Sequence, residues 1–94
     1  MHYVYVLKSL KDKKLYIGCT KDLKKRLSLH NKEQVLATRS RKPLTVIFYE
    51  AFNNHRDARR QELFYKSGYG REVLKGKLKN SFQSNDIFKN KKEK

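Results

Sequence analysis

The sequence has little of what cross-linked, metal-clustered or membrane-spanning proteins need. Its 94 residues include one cysteine, Cys19, which excludes an intramolecular disulfide framework and a zinc site built from several cysteines. A single cysteine fits a reducing compartment, so we expect a cytoplasmic protein. No stretch of about 18 apolar residues occurs, and no basic segment followed by an apolar run opens the chain, so we expect neither a membrane span nor secretion.

Acidic residues are also scarce. The chain carries 9 Asp and Glu against 24 Lys and Arg, which leaves a formal net charge of +15 at pH 7. A field of this sign attracts negatively charged molecules, so the expected partner is a polyanion. The length gives room for one domain, and 6 Tyr and 5 Phe supply large side chains to a small core.

The residue pattern predicts an α+β domain with one sheet covered by helices, in the order β-β-α-β-α(-α). Residues 2–8 and 15–17 are β-branched and aromatic on either side of a polar stretch, which predicts a β-hairpin whose second strand ends at Gly18. A third strand is predicted over 45–52. Its nearly continuous apolar first half is typical of a strand covered on both faces.

Capping residues mark the two main helices. Thr20 is the expected N-cap of a first helix over 21–32. Asn53 or Asn54 is expected to cap a second helix over 55–67.

Gly68 is placed to end the second helix, and a short third helix is expected over 71–78. Between the first helix and the third strand, residues 33–44 are predicted to form an exposed basic loop. The last residues, 81–94, are polar and rich in lysine, and they predict a frayed or partner-dependent tail that follows the folded domain.

Two helical faces carry ionisable groups where a stripe facing the core is expected. In the first helix, Arg26 and His30 fall on the arc of the leucines that should face the sheet. In the second helix, Glu62 is part of the stripe that includes Ala58, Tyr65 and Tyr69. The basic residues of that helix are predicted on its other side; they are Arg56, Arg59, Arg60 and Lys66.

An unpaired buried carboxylate costs several kcal/mol, so Glu62 needs a cation. This cation is Arg26, another basic side chain or a bound divalent metal, and the helix pattern alone favours a buried ion pair. Taken singly, Arg26 and His30 are more often packed structural side chains than catalysts. Glu50, near the end of the third strand, is expected to be an ordinary strand-edge residue.

The hairpin adds two phenols, because antiparallel pairing brings Tyr5 and Tyr16 close together on one face. A tyrosine in a strand is usually there for packing. Together with inward Arg26, His30 and Glu62, however, the two tyrosines form a polar set that is costly in a small core, which indicates a functional site.

Several segments occur together in an order that is informative. They are Tyr3-Val4-Tyr5, Leu15-Tyr16-Ile17-Gly18 and Thr20-Lys21-Asp22-Leu23, followed by Arg26, His30 and Glu62. Over residues 2–80 this ordered set resembles the GIY-YIG nuclease domain, most of all its small stand-alone bacterial members. The resemblance implies a three-stranded antiparallel sheet flanked by helices, in a domain over residues 1–80.

The resemblance also implies roles for the inward polar residues. Glu62 would hold one Mg²⁺ or Mn²⁺, and Arg26 would neutralise the scissile phosphate. One of Tyr5 and Tyr16 would help to deprotonate the attacking water while the other positions it, and His30 would assist proton transfer or contact phosphate. The implied reaction is direct, metal-dependent hydrolysis of phosphodiester bonds.

Three positions bear on how far the resemblance extends. Tyr3 stands where the first motif has its glycine, and Cys19 stands where some family members have a lysine. Asn80 is the best candidate for an asparagine that lines the site in parts of the family.

DNA is the expected substrate, with RNA as an alternative, and exposed cations are expected to hold its phosphates. These cations are Lys21, Lys24 and Lys25 of the first helix and Arg39, Arg41 and Lys42 of the loop. The chain carries no separate recognition domain, so sequence specificity should be low, and targeting would come from DNA shape, self-association or a partner protein.

Two other functions compete with the leading hypothesis of a DNA endonuclease. One is a nucleic-acid-binding module of the same fold without catalysis. The other is a structural basic protein, for instance one associated with the ribosome, in which Glu62 merely pairs with Arg26.

Overall fold

The computed structural model describes residues 1–32 and 35–82. Within these ranges, one antiparallel sheet of three strands carries helices on both faces, which confirms the predicted α+β class and element order. The strands are β1 (His2–Ser9), β2 (Leu15–Thr20) and β3 (Leu44–Phe52), and the helices are α1 (Leu23–Asn31), α2 (His55–Lys66), α3 (Gly68–Lys77) and α4 (Lys79–Phe82).

The predicted hairpin is formed by β1 and β2, and its register decides which side chains share a face. Tyr5 lies opposite Gly18, and Leu7 lies opposite Tyr16. Because side chains alternate between the faces of a sheet, Tyr5 and Tyr16 lie on the same face, as predicted. The expected end of the second strand at Gly18 is wrong, since pairing with β1 continues to Thr20.

The central strand is β1, because the strand order is β2-β1-β3. Six successive residues of β1 are buried, whereas β3 lies at an edge, with Leu44 buried and its other residues partly buried or exposed. The first half of β3 is covered on both faces only in part, because Val46 packs against the core of one face while Ile47 and Phe48 pack against the core of the other. An apolar run indicates burial, but it does not say which strand takes the central place.

Each face of the sheet has its own core. On the face that carries α1, buried Tyr5, Leu7 and Leu44 pack with the partly buried Tyr16, Leu23, Leu27 and Val46. On the face that carries α2 and α3, the core consists of Val4, Val6, Ile17, Ala58, Tyr65, Leu74 and Leu78. The helices that bear the predicted site residues thus pack on opposite sides of the sheet.

The start of α1 differs from its prediction. Asp22, rather than Thr20, is the N-cap, because its carboxylate accepts a hydrogen bond from the backbone N–H of Lys25 at 3.0 Å. For α2 the N-cap is Asn54, one of the two residues expected, and its side chain accepts from the backbone N–H of Arg56 at 2.8 Å.

The junction after α2 also differs. Ser67 ends α2 and is the N-cap of α3, where its hydroxyl accepts from the N–H of Gly70 at 3.0 Å. The prediction that Gly68 ends α2 is therefore wrong, because Gly68 is the first residue of α3. This helix starts three residues before the predicted boundary at Arg71. The chain turns at this corner, so Tyr69 leaves the core stripe predicted for it and is 75% exposed.

The connector between α1 and β3 is not the wholly exposed loop that was expected. Of its described part, a short 3₁₀ helix covers Leu36–Thr38, and Thr38 is fully buried. Residues 33 and 34 lie outside the described ranges, as does the predicted tail from residue 83 onward. No helix in the described ranges is long and apolar enough to cross a membrane.

Candidate active site

An open pocket of about 380 Å³ lies along the outer edge of β2 and receives side chains from both faces of the sheet. Because β2 is an edge strand, side chains from the α1 side and the α2 side can meet around it. Tyr5, Tyr16 and Arg26 come from the α1 side, and His55, Arg59 and Glu62 come from α2. The pocket thus brings together four of the five predicted catalytic residues.

The hydroxyl of Tyr5 connects the pocket with the interior. Its oxygen accepts a hydrogen bond from Arg26 Nε at 3.2 Å and lies 3.0 Å from His30 Nε2. The side chain is 1% exposed. Burial raises the pKa of Tyr5 to about 12, although the hydrogen bond from Arg26 acts in the opposite direction.

His30 is the fifth predicted residue, and it lies behind Tyr5 with no exposed surface. Burial, followed by the charge of Arg26, lowers the pKa of His30 to about 4, so its imidazole is neutral at pH 7. The ring of His30 does not line the pocket, so its position offers little support for the expected alternative role of contacting phosphate. Its contacts fit the other expected role, assistance in proton transfer.

The tautomer of His30 follows from the hydrogen-bond network. Thr38 Oγ1 lies 2.7 Å from His30 Nδ1, and the Thr38 hydroxyl donates to the carbonyl oxygen of Val35 at 3.5 Å. Nδ1 then carries the ring proton and donates a hydrogen bond to Thr38 Oγ1. Nε2 is therefore unprotonated and accepts a hydrogen bond from the Tyr5 hydroxyl. The sequence contains no periodic signal for Thr38, because an irregular connector separates it from α1.

Tyr16 and Gly18 shape the wall of the pocket formed by β2. The ring of Tyr16 meets the ring of His30 edge to face, with centroids 4.8 Å apart. Gly18 faces the phenol of Tyr5 so closely that a Cβ atom at position 18 would overlap the ring and its hydroxyl. The glycine of the second motif is therefore needed for the close approach of Tyr5.

Glu62 is buried, and both of its carboxylate oxygens are ion-paired. Oε1 accepts from Arg59 Nη1 at 2.7 Å, and Oε2 accepts from Lys66 Nζ at 2.9 Å. Burial by itself would raise the pKa of Glu62, but the hydrogen bonds from Lys66 and Arg59 outweigh it and hold that pKa below its ordinary value. The predicted placement of Arg59 and Lys66 away from Glu62 is wrong, because residues three before and four after Glu62 lie on the same side of a helix as Glu62 itself.

The Glu62 to Arg26 pair of the structural hypothesis is not formed. Arg26 donates to Tyr5, and the oxygens of Glu62 are taken by cations of its own helix. Arg59 and Lys66 remain half exposed, at 54% and 44%, so their charged ends can turn toward solvent without leaving a buried cation behind.

Glu62 is the only acidic side chain among the described residues that line the pocket. The described residues contain no group of three or more His, Cys, Asp and Glu side chains able to hold a metal. One carboxylate is enough for Mg²⁺ or Mn²⁺ when water and a substrate phosphate complete the coordination sphere. The donor chemistry of the pocket therefore fits a single hard cation at Glu62, provided that Arg59 and Lys66 move aside.

The residues predicted to bind nucleic acid are spread over several surfaces. Lys21 lines the pocket, and Arg41 is partly buried in an ion pair with Asp12 at 2.9 Å. Asn80 is exposed in α4 and does not line the pocket. The other cations are exposed; they are Lys24, Lys25, Arg39 and Lys42.

Sequence reasoning missed a second polar cluster, centred on Glu50. Its Oε1 accepts from the Tyr65 hydroxyl at 2.7 Å and from Gln61 Nε2 at 2.9 Å, and its Oε2 lies 3.5 Å from Lys77 Nζ. The expectation that Glu50 is an ordinary strand-edge residue is wrong. It joins β3 to α2 and α3, and its part in the structure is to satisfy the hydroxyl of the buried Tyr65.

Comparison with known proteins gives consistent results. The family model described as the GIY-YIG catalytic domain matches residues 1–79. A UPF0213 protein of Clostridium perfringens is 42% identical over 67 residues, which is 70% of this chain and 71% of the relative. A UPF0213 protein of Bacillus pumilus is 43% identical over 67 residues, which is 70% and 67% of the two chains.

A solution NMR structure of a UPF0213 protein from Bacillus halodurans is similar to this chain at 34% sequence identity and a TM-score of 0.48. The similarity covers 78% of this chain and 80% of that one.

Proposed function

Since the chain belongs to the GIY-YIG catalytic domain family, which is of nuclease type, we propose that it is an endonuclease that hydrolyses phosphodiester bonds in DNA. The reaction uses one divalent ion, Mg²⁺ or Mn²⁺, and has low sequence specificity. The observation that carries the proposal is the meeting of Tyr5, Arg26 and Glu62 in one open pocket, although they come from opposite faces of the sheet. A cytoplasmic location fits a nucleic-acid substrate and the unpaired Cys19.

Arg26 is the group that holds the scissile phosphate in this proposal. Its guanidinium lines the pocket and is oriented by the hydrogen bond from Nε to the Tyr5 oxygen. The guanidinium also interacts with the Tyr16 side chain. Its remaining N–H groups would face the phosphate, where negative charge increases as the attacking oxygen approaches. A preoriented cation stabilises such charge without reorganising during the reaction.

Tyr5 and His30 provide a route for the proton of the attacking water. A phenol with a pKa of about 12 keeps its proton at pH 7, so it cannot act as a base on its own. Its hydroxyl is bonded to the neutral Nε2 of His30, however, so it can pass its own proton inward as it takes one from water. Tyr16 lines the same pocket beside this pair and positions the water.

Glu62 is the residue that would hold the metal. A bound Mg²⁺ or Mn²⁺ would supply Lewis-acid polarisation of the phosphate. To bind it, the carboxylate must exchange Arg59 and Lys66 for the ion, and DNA phosphates offer both cations new partners. Substrate binding then favours release of the carboxylate.

The alternative function, a nucleic-acid-binding module without catalysis, is favoured by one observation. Both oxygens of Glu62 already have cationic partners at 2.7 and 2.9 Å, so the carboxylate is satisfied without a metal. If these ion pairs persist when DNA binds, the pocket grips a phosphate and does not cleave it.

Plasmid nicking separates the two functions. The purified chain is incubated at high concentration with supercoiled plasmid, a branched DNA and a structured RNA, with Mg²⁺, with Mn²⁺ or with EDTA. The proposal predicts nicked DNA that requires either metal. Binding measured by fluorescence anisotropy without cleavage of any of these substrates would contradict the proposal and favour the binding module.

A further inference from the structure

A second hollow, of about 600 Å³, begins where the pocket ends. Tyr16 lines both, with Gly18 to Thr20 of β2 lining the pocket and Leu15 to Ile17 lining the second hollow. We name this hollow the cationic groove, because six cations line it. They are Lys13, Lys14, Arg41, Lys66, Arg71 and Lys75. No aspartate or glutamate of the described residues lines it.

We propose that the cationic groove binds the sugar-phosphate backbone of the DNA strand adjoining the cleaved phosphate. The strand runs along the outer edge of β2, from the pocket past Tyr16 toward the hairpin turn. This inference rests on the proposed function for the identity of the cleaved phosphate, but the groove can be tested by binding alone.

The length of the track suits a nucleic-acid strand. Together the pocket and the groove follow all of β2, whose six residues run from Leu15 to Thr20. At about 3.3 Å per residue this is about 20 Å. With one phosphate of a strand for about every 3.4 Å of duplex axis, roughly six nucleotides are the upper limit for this track, because the backbone winds around the axis instead of running straight.

The cations of the groove differ in how available they are. Arg41 is paired with Asp12, Lys66 with Glu62 and Lys75 with Glu72. The remaining three, Lys13, Lys14 and Arg71, are exposed and make no ion pair within residues 1–32 and 35–82. They come from the hairpin turn and from α3, so they flank the groove and can neutralise phosphates without breaking an internal contact.

The floor of the groove explains why this surface is more than a group of lysines. Ile17 and Leu74 are buried beneath it, and the ring of Tyr16 forms the end next to the pocket. Apolar walls with cationic rims suit a sugar-phosphate chain, whose sugars contact apolar atoms while its phosphates meet the charges. An aromatic ring at the entrance offers a stacking surface for a base.

Two double variants with the same change in charge test the groove. Lys14→Gln/Arg71→Gln removes two groove cations, and Arg56→Gln/Arg60→Gln removes two exposed cations of α2 that line neither the pocket nor the groove. Anisotropy titrations of the full chain with a labelled DNA duplex are run over a range of salt concentrations, and circular dichroism checks that both variants are folded.

The groove variant is expected to flatten the slope of log affinity against log salt by about 1.8, since each lost phosphate contact removes about 0.9. At 0.1 M salt, this corresponds to a loss of affinity on the order of 50-fold, because each contact is worth about 10 to the power 0.9. The α2 variant is expected to change the slope by less than half as much. Equal losses in the two variants would overturn the inference, because binding would then follow net charge alone.

Cleavage assays keep this test separate from that of the proposed function. If the parent nicks DNA and the groove variant binds as the α2 variant does, the groove is wrong and the endonuclease stands. If the parent nicks nothing and the groove variant alone loses affinity, the groove stands and the endonuclease is wrong. Where both hold, the groove variant should raise KM and leave kcat within about twofold, because it removes binding that is uniform between substrate and transition state.

Discussion

The buried Tyr5 hydroxyl makes two hydrogen bonds. Arg26 donates one to it, and it donates the other to His30. Tyr5→Phe keeps the ring that fills the core and removes these two bonds. We expect cleavage to slow by at least about 100-fold, the lower range for the loss of acid–base assistance. Single-turnover nicking rates measure the effect.

Tyr49→Phe is the matched control, since Tyr49 is 54% exposed on β3 and lies outside the pocket. It should cleave as the parent does. A Tyr5→Phe protein that cleaves at the parental rate would show that Tyr5 serves only in packing.

Buried His30 should make stability depend on pH in a defined window. Its pKa is about 4 in the folded protein against an ordinary 6.5, so only the unfolded chain takes up a proton between these values. The contribution is fully present above pH 6.5 and is lost as the pH falls toward 4. Urea unfolding at several pH values should therefore give a free energy of unfolding that decreases on acidification.

The comparison with His30→Gln isolates the histidine. Burial and then the neighbouring His55 also lower the pKa of His2, so His2 acts in the same direction in both proteins. The depressed pKa values of Glu50 and Glu62 matter only at still lower pH, near their ordinary value of 4.5 and below. The same slope between pH 5 and 6.5 in the parent and in His30→Gln would rule out the neutral buried ring.

Among the elements, β2 depends most on a glycine, because Gly18 leaves the space that the Tyr5 phenol occupies. Gly18→Ala places a methyl group in the space of the Tyr5 phenol, so either the ring or the strand must move. Overpacking of this kind costs about 1–3 kcal/mol of unfolding free energy. We expect a lower melting temperature together with weaker cleavage, because Tyr5 loses its position against Arg26.

Gly76→Ala in α3 is the control, because a Cβ atom at position 76 meets open space. Alanine is the better helix former, so this change should stabilise the protein by up to about 1 kcal/mol. If Gly18→Ala melts at or above the temperature of Gly76→Ala, the close approach of Tyr5 to β2 is not a constraint.

Features of the elements that depend on a few neighbouring residues could be predicted, whereas features that depend on packing between distant elements could not. The shared face of Tyr5 and Tyr16 follows from the period of a strand and a short turn. The central place of β1 does not, because strand order depends on which helices pack against the sheet. At the corner after α2, Gly68 looks like the terminator, yet it is Gly70 whose Cβ atom would overlap the carbonyl of Phe64.

Over the whole molecule, the pocket residues could be predicted but not all of their partners were. The ion pairs of Glu62 with Arg59 and Lys66 follow from helix spacing, because residues three and four apart share a face, and the assignment of both cations to the opposite side overlooked this. Thr38 escaped prediction for a different reason, since its contact with His30 is made across the connector. The uneven distribution of basic residues over the described part of the chain likewise becomes visible only when β2, α3 and the hairpin turn enclose the cationic groove.

The central claim is that the Glu62 carboxylate is required for hydrolysis of DNA. Plasmid nicking by one pair of variants tests this claim most directly. Glu62→Gln removes the carboxylate charge inside the pocket, and Glu72→Gln removes one from the exposed surface of α3. With Mn²⁺ or Mg²⁺, Glu72→Gln should nick as the parent does, and Glu62→Gln should not nick while still binding DNA. Nicking by Glu62→Gln at the parental rate would contradict the account.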